Sequence, residues 1–266
     1  MQFRYVIGPD GSVDVADRGL AYGDGLFETM AVRRGALLRY ELHWNRLTAG
    51  CERLQLPVPD PDELQTRIAA TIQNVERGSL KLLLTRGSGP RGYAPPRNPE
   101  PLIILTSSSS THAPAPAITV VSLVQRLSQN RSLAGIKHLC RLEQVLGQQE
   151  LLDLDADEGL MLDTSGNVIG GTSRNLFAVF ADTLVTPDLT KSGIHGVMRQ
   201  YLLNHCAEAG IRCQERAILP TQLSDADELF MTNALVGIQS VSRLDDRSLT
   251  HFVMAERLRE QLGLSA

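Results

Sequence analysis

The chain has 266 residues, of which 42% are hydrophobic and 21% charged, with 26 basic side chains against 30 acidic for a net charge of -4. That balance excludes a disordered, collagen-like or coiled-coil protein, and it offers no bulk positive field for nucleic acid or an anionic membrane. Cys51, Cys140, Cys206 and Cys213 form no CxxC pair, so neither a zinc site nor a disulfide framework is indicated, and the thiols read as reduced in a cytoplasmic protein. The start, MQFRYVIGPDGSVD, has no signal-peptide core, and no run of about 18 apolar residues predicts a membrane span.

In chain order, Pro9-Asp10-Gly11 predicts a turn between short strands, and a glycine-rich stretch, Gly19 to Thr29, follows it. Leu42, Leu47, Cys51 and Leu54 recur near helical spacing and predict a helix over Tyr40–Leu54, closed by Pro57. A second helix is expected from Pro61 to Glu76, ended by Gly78. Lys81–Thr85 and Leu102–Thr106 read as buried strands. The Ser, Pro and Ala run Ser107–Ala117 has no hydrophobic period. It fits a linker between lobes 1–106 and 118–266, or a surface loop within one domain, and the linker reading is adopted.

Beyond it, Leu142, Val145, Leu146, Gln149 and Leu152 share one side of a helix that begins near Arg141 and Glu143. Asp163–Gly166 predicts a hairpin turn. Ile194–Ala209 reads as a helix stopped by Gly210, and Phe252–Leu264 as an amphipathic tail helix. Strands and helices mix without strict alternation, so the fold class is α+β.

Four features can carry chemistry. Lys137, in AGIKHLCRLEQV, lies between apolar neighbours at the edge of a helix, where a desolvated amine becomes nucleophilic enough to form a Schiff base. The bland alternative is a lysine that reaches to water. Gly193-Ile-His-Gly-Val-Met-Arg199 enters a helix directly, so the free amides there suit a phosphate, or are simply a helix cap. Arg46, in HWNRL, offers a phosphate-binding fork or a solvated helix face. Thr85-Arg-Gly-Ser-Gly-Pro-Arg-Gly-Tyr93 presents Arg86, Arg91 and Tyr93 for carboxylates, or forms a basic surface turn. A reactive lysine, an anion site at a helix start and a distant arginine are together the parts that hold pyridoxal phosphate.

These residues carry a resemblance. Tyr22-Gly-Asp-Gly-Leu-Phe-Glu-Thr29, His43-x-x-Arg46-Leu, Lys137, Asn175-Leu-Phe and Gly193-x-x-Gly196-Val-Met-Arg199 stand in the order found in the fold-type IV pyridoxal-phosphate enzymes, which include branched-chain and D-amino-acid transaminases. The likeness runs from about Asp17 to Val241. Within that family, TRGSGPRGY and AGIKHLCRLEQVL resemble the 4-amino-4-deoxychorismate lyases. The resemblance implies a two-lobed α+β fold with the cofactor in the cleft, usually a homodimer. It implies Lys137 as the covalent anchor and catalytic amine. Arg46, Gly196 and the amides of Val197 and Met198 would hold the phosphate, with the Asn233-Ala234 turn closing around it. Arg91, Tyr93 and Thr29 would contact substrate. The implied reaction turns 4-amino-4-deoxychorismate into 4-aminobenzoate and pyruvate, a step toward folate. A transaminase of the same fold, or a homologue of reduced activity, is the alternative.

Two positions depart from the pattern. Where family members carry a glutamate that pairs with the pyridine nitrogen, this chain has Gly170, with no acid between Asp163 and Asp182. Without that carboxylate the ring is a poorer electron sink, which weakens the transaminase expectation more than the lyase one, since aromatisation drives the lyase reaction. Cys140 stands where the lyases usually have asparagine.

Overall fold

The computed structural model describes residues 3–8, 11–110 and 117–264. The expected turn at Pro9-Asp10 and the centre of the expected linker, 111–116, lie outside them. The chain divides into two compact units, Met1–His112 with Ile136–Cys140, and Ala113–Gly135 with Arg141–Ala266. Ile136–Cys140 therefore departs from the expected lobe boundary and carries Lys137 into the first unit. Its backbone explains why: Phe27 N–H donates to the Lys137 carbonyl, Leu139 N–H donates to that of Gly25, and Leu26 bridges His138. The expected linker also contributes to strands at both ends, Ser107–Ser109 to one and Ala117 to the next.

The first unit is a five-stranded sheet in the order β1-β5-β4-β2-β3, where β1 is Arg4–Ile7, β2 Gly25–Arg33, β3 Ala36–Leu37, β4 Arg77–Thr85 and β5 Leu102–Ser109. A short helix, α1 (Arg18–Tyr22), precedes β2, and α2 (Tyr40–Leu54) and α3 (Pro61–Ile72) follow β3. The α2 range matches its expectation. In α3, Asp60 caps Glu63 N–H at 2.9 Å with Pro61 at the first position, but the helix ends four residues before Glu76. Val75 and Glu76 are needed instead as carbonyl partners for the Gly35 and Arg34 amides, and Gly78 lies inside β4 rather than at a helix end.

The β2–β4 register sets the two faces of this sheet. Leu26, Glu28 and Met30 pair with Leu84, Leu82 and Leu80, all buried. Cross-strand partners project on the same side, so this is the core face, completed by Leu47 and Cys51 of α2 and by Leu64, Ile68 and Ile72 of α3. Phe27 and Thr29 project on the opposite side with Leu83 and Lys81, and that side is open enough to leave Lys81 exposed.

The second unit is a nine-stranded sheet. Its path is β11 (Cys213–Arg216), β10 (Thr183–Pro187), β9 (Asn175–Phe180), β12 (Glu228–Asn233), β13 (Gly237–Leu244), β6 (Ala117–Leu127), β7 (Glu158–Asp163) and β8 (Val168–Gly171), with β14 (Arg247–Ser248) beside β13. The β10–β11, β13–β6 and β6–β7 pairs are parallel and the others antiparallel. Apolar clusters cover its two faces. On one, α5 (Val197–Glu208) and α7 (Val253–Gln261) lay Met198, Leu202, Ala255 and Leu258 against Phe177 and Phe230, whose rings stack at 5.2 Å. On the other, Leu176, Met231 and Val241 pack with Leu223 of α6 (Pro220–Leu223).

The helix expected after Arg141 is α4 (Leu142–Leu151). The expected hairpin forms between β7 and β8. Helix α5 starts three residues after Ile194, because Gly196 is its N-cap, and α7 is shorter than expected at both ends. Among the described residues no helix is long and apolar enough to cross a membrane, and no His, Cys, Asp and Glu group is arranged to hold a metal ion.

Candidate functional site

In the first unit, Lys137 lies beside the open face of the sheet. Its Nζ is 4.2 Å from the centre of the Phe27 ring, and Lys81 Nζ is 5.9 Å from the same ring. The ring's negative face holds an ammonium group there at a partly desolvated spot. Lys81 is the cross-strand partner of both Thr29 and Thr106, so two hydroxyl-bearing residues flank it on its side of the sheet. The arrangement gathers two amines and two hydroxyls around an aromatic surface, which suits an anionic, ring-shaped ligand. Lys81 was not singled out in the sequence, although alternation in Leu80–Thr85 places it opposite the buried leucines.

Arg46 lies on α2, and its partner there is Glu28. Its Nε donates to Glu28 Oε1 at 2.8 Å and its Nη2 to Oε2 at 2.5 Å. His43, one turn earlier, places Nδ1 2.6 Å from Oε2. Burial by itself would raise the Glu28 pKa, but the Arg46 charge and the bonds from His43 and Arg46 outweigh it and hold the carboxyl at about 2. Burial is also the main reason the His43 pKa is lowered. A neutral imidazole facing a carboxylate must carry its proton on Nδ1, so Nε2 is a bare lone pair, and it has no partner although buried. Arg46 thus belongs to a buried triad, and its positive charge is already matched. The sequence carried a signal for this: Glu28 is an acid at a core-facing position of an otherwise apolar strand, with His43 and Arg46 three apart on one helix.

The loop with Arg91 and Tyr93 is held from below by Arg18. Its guanidinium donates to the carbonyls of Gly92, Tyr93 and Ala94 at 3.1, 2.8 and 3.2 Å, bonds Asp24 at 2.9 Å, and lies 4.9 Å from the Tyr22 ring centre. Tyr22 Oη accepts from Gly92 N–H, and its ring meets Tyr93 edge-on at 5.5 Å. Arg91 is exposed, and Tyr93 is 85% exposed. Arg86 differs from its expectation as a carboxylate reader: it is buried, paired with Asp24 and bonded to the carbonyls of Leu54 and Gln55. Cys140 is exposed, with Sγ 3.4 Å from the Tyr22 carbonyl oxygen.

In the second unit, α5 begins at Gly196 with no side chain capping its first amides. A Cβ at Gly196 would run into Asn175 Oδ1, so only glycine lets the Asn175 amide sit there, donating to the Ile194 carbonyl at 3.0 Å. Thr232 is the cross-strand partner of Asn175, and its buried Oγ1 lacks a partner. Bare helix-start amides, a glycine approach and an orphaned hydroxyl fit a phosphate group. Arg199, 2% exposed, clamps the helix to the sheet through Thr186, the Pro187 carbonyl and Glu215. Asn233 ends β12, and its Oδ1 accepts from the amides of Leu235 and Val236, fixing the turn that contains Ala234.

Gly170 has φ +154°, and a Cβ there would lie 2.8 Å from the Arg174 carbonyl oxygen. The backbone at this point is shaped to a residue without a side chain. The nearby acid, Glu158, is buried and committed to the following loop: it accepts from Thr172 N–H at 2.9 Å and from Ser173 Oγ at 2.9 Å, and pairs with Arg174.

The sequence profile of the family described as amino-transferase class IV matches residues 25–244. An aminodeoxychorismate lyase of Vibrio harveyi is 35% identical over 239 residues, 88% of each chain. A putative branched-chain-amino-acid aminotransferase of Methanocaldococcus jannaschii is 29% identical over 95% of this chain and 90% of its own. Among solved structures, the 4-amino-4-deoxychorismate lyase of Pseudomonas aeruginosa superposes with a TM-score of 0.90 at 41% identity, covering 96% of this chain and 95% of its own.

Proposed function

The chain belongs to the amino-transferase class IV family, and on that premise we propose that it is a pyridoxal-phosphate lyase of the cytoplasm, releasing pyruvate and 4-aminobenzoate from 4-amino-4-deoxychorismate. The similarity to two lyases at 35% and 41% identity supports this reading. The observation that carries it is the placing of Lys137 and Lys81 around Phe27 beside Thr29, a basic, flat surface suited to a cyclic dicarboxylate. Gly170, with its Cβ position closed by the Arg174 carbonyl, favours elimination over transamination, because no carboxylate can project from there to keep a pyridine nitrogen protonated.

Lys137 would be the covalent anchor of the cofactor, and the amides of Val197 and Met198, with Arg46, would hold its phosphate. When bound, the cofactor supplies a sink for the electrons left by proton removal. Once the substrate amine has displaced it, the free Lys137 amine would take the proton from the amine-bearing ring carbon and return it to the enolpyruvyl methylene. The pair left by that C–H bond completes the aromatic ring as the ring carbon–oxygen bond breaks with its own pair going to oxygen, and the enolpyruvyl group, protonated on its methylene carbon, departs as pyruvate. Arg91 and Tyr93, presented by Arg18, engage a substrate carboxylate.

Replacing Lys137 by Ala is expected to abolish both cofactor absorbance after reconstitution and pyruvate release from freshly made aminodeoxychorismate; retained turnover would refute the reading. Formation of a keto acid on adding pyruvate and an amino donor, without pyruvate release from the chorismate derivative, would favour the transaminase.

A further inference from the structure

Cys206 and Cys213 both lie in the second unit, and the fold turns one toward the other. On α5, Met198, Leu202 and Cys206 recur one turn apart, so they share the face laid against the sheet, and all three are buried. Beyond the helix end, Gly210 turns the chain at φ +66°, the Ile211 N–H donates to the Cys206 carbonyl at 2.9 Å, and Cys213 opens β11 beside Leu184. The same helix is tied to the same strand again where Arg199 pairs with Glu215. Cys213 packs partly buried against the cluster that holds Cys206, and its S–H hydrogen-bonds the Cys206 sulfur.

Two thiols in that contact have a chemistry that neither has alone. One S–H donates to its neighbour's thiolate, so the first proton leaves the pair more readily than it leaves a lone thiol, and the second is held more tightly. The thiolate is the form that attacks an oxidant. Cys213 is partly exposed and can meet a small oxidant, whereas Cys206 waits within the core to resolve what forms there. From hydrogen-bonding contact, side-chain rotation brings the sulfurs to the roughly 2.05 Å of a disulfide.

We propose that Cys206 and Cys213 form a reversible disulfide site, closed by hydrogen peroxide and reopened by small thiols, which locks the end of α5 to β11. The Cys213 thiolate attacks one peroxide oxygen, the O–O bond breaks, and the departing hydroxide takes up a proton to leave as water, with a sulfenic acid at Cys213. The Cys206 sulfur then attacks the Cys213 sulfur, and the hydroxyl leaves with the Cys206 proton as a second water; peroxide gains the two electrons that the thiols lose. Two molecules of a small thiol reverse the step by exchange and end as a disulfide themselves. The bond closes a short loop and stabilises the second unit by restricting its unfolded chain. This stands apart from the lyase reading and needs neither cofactor nor substrate.

The test uses the full chain carrying Cys140→Ser, which removes the exposed competing thiol. After treatment with hydrogen peroxide and unfolding in iodoacetamide, Cys51 is expected to label while Cys206 and Cys213 do not. Trypsin cuts after Arg212, between the two cysteines, so the digest should contain their peptides joined, and dithiothreitol should separate them. The thermal midpoint of the oxidised form should exceed that of the reduced form by roughly 5 °C. Cys213→Ser in the same background should lose both the joined peptide and the response of the midpoint to peroxide, and Cys213→Ala is a second arm should the serine variant not fold. Labelling of both thiols after peroxide, a sulfinic acid at Cys213 without a joined peptide, Cys206 joined to Cys51, an unchanged midpoint, or a rise that survives the loss of Cys213 overturns the proposal.

Discussion

A carboxylate among leucines is expensive unless its charge is matched, and Glu28 faces Leu82 across the strand pair. The Arg46 and His43 bonds make it tolerable and link stability to acidity. Because its folded pKa, about 2, lies below the ordinary 4.5, the contribution is fully present above pH 4.5 and is lost as pH falls toward 2. Denaturant midpoints measured across that window should fall with acid in the wild type. Glu28→Gln should be less stable by roughly 3 kcal/mol at neutral pH, through the unmatched Arg46 charge, and should show a shallower fall; an unchanged acid slope would mean that Glu28 is not the group titrating. At Gly170 the backbone makes its own prediction. Gly170→Ala, which adds only a Cβ, should cost about 1–3 kcal/mol in thermal or denaturant unfolding, since that atom meets the Arg174 carbonyl at an unfavourable φ. Gly170→Glu therefore tests a ring-nitrogen partner only when compared with Gly170→Ala. Cys140, the exposed thiol, should label first with a maleimide, with Cys51 and Cys206 reacting only on unfolding.

Among the elements, the loop carrying Arg91 and Tyr93 owes its shape to one side chain from α1. Arg18→Ala removes donors to three successive carbonyls and the bond to Asp24. Amide exchange over residues 91–94 should quicken, and the KM for substrate should rise more than kcat falls, because the residues that orient substrate lose their fixed position. Unchanged exchange would show that the loop holds itself. Sequence periodicity gave α2 its limits because Leu47 and Cys51 face a real core, but it set the start of α5 three residues early, at Ile194, because periodicity does not register that Gly196 is the cap. It also gave α4 and its apolar stripe, but not that the stripe faces outward. Periodicity reports that a face is apolar; it does not report against what. Glu28, Lys81, Arg18 and Thr232 were hidden for a related reason, since each acquires its meaning from a partner on another strand or loop.

For the whole molecule, the expected division at the Ser, Pro and Ala run captured only one of the chain's crossings between its units. The strip Ile136–Cys140 returns to the first unit, and no local signal in AGIKHLC announces a long-range bridge to β2. A fragment ending at His112 therefore lacks the two backbone hydrogen bonds to Gly25 and Phe27 that flank the Leu26–His138 bridge. It should unfold at lower denaturant than a fragment to which a peptide spanning 134–142 is added; equal midpoints would show that the strip contributes nothing to that unit.

That returning strip also orders events on the ribosome. The β2–β4–β5 sheet can assemble as soon as Ser109 has emerged, but the segment bearing Lys137 arrives later and must dock onto an edge already formed. Synthesis proceeds at about 5–20 residues per second, so the nascent first unit spends seconds with Phe27 uncovered and the lysine not yet made. The residue on which the chemistry rests is among the last pieces that this unit receives, and any cofactor captured covalently must wait for it.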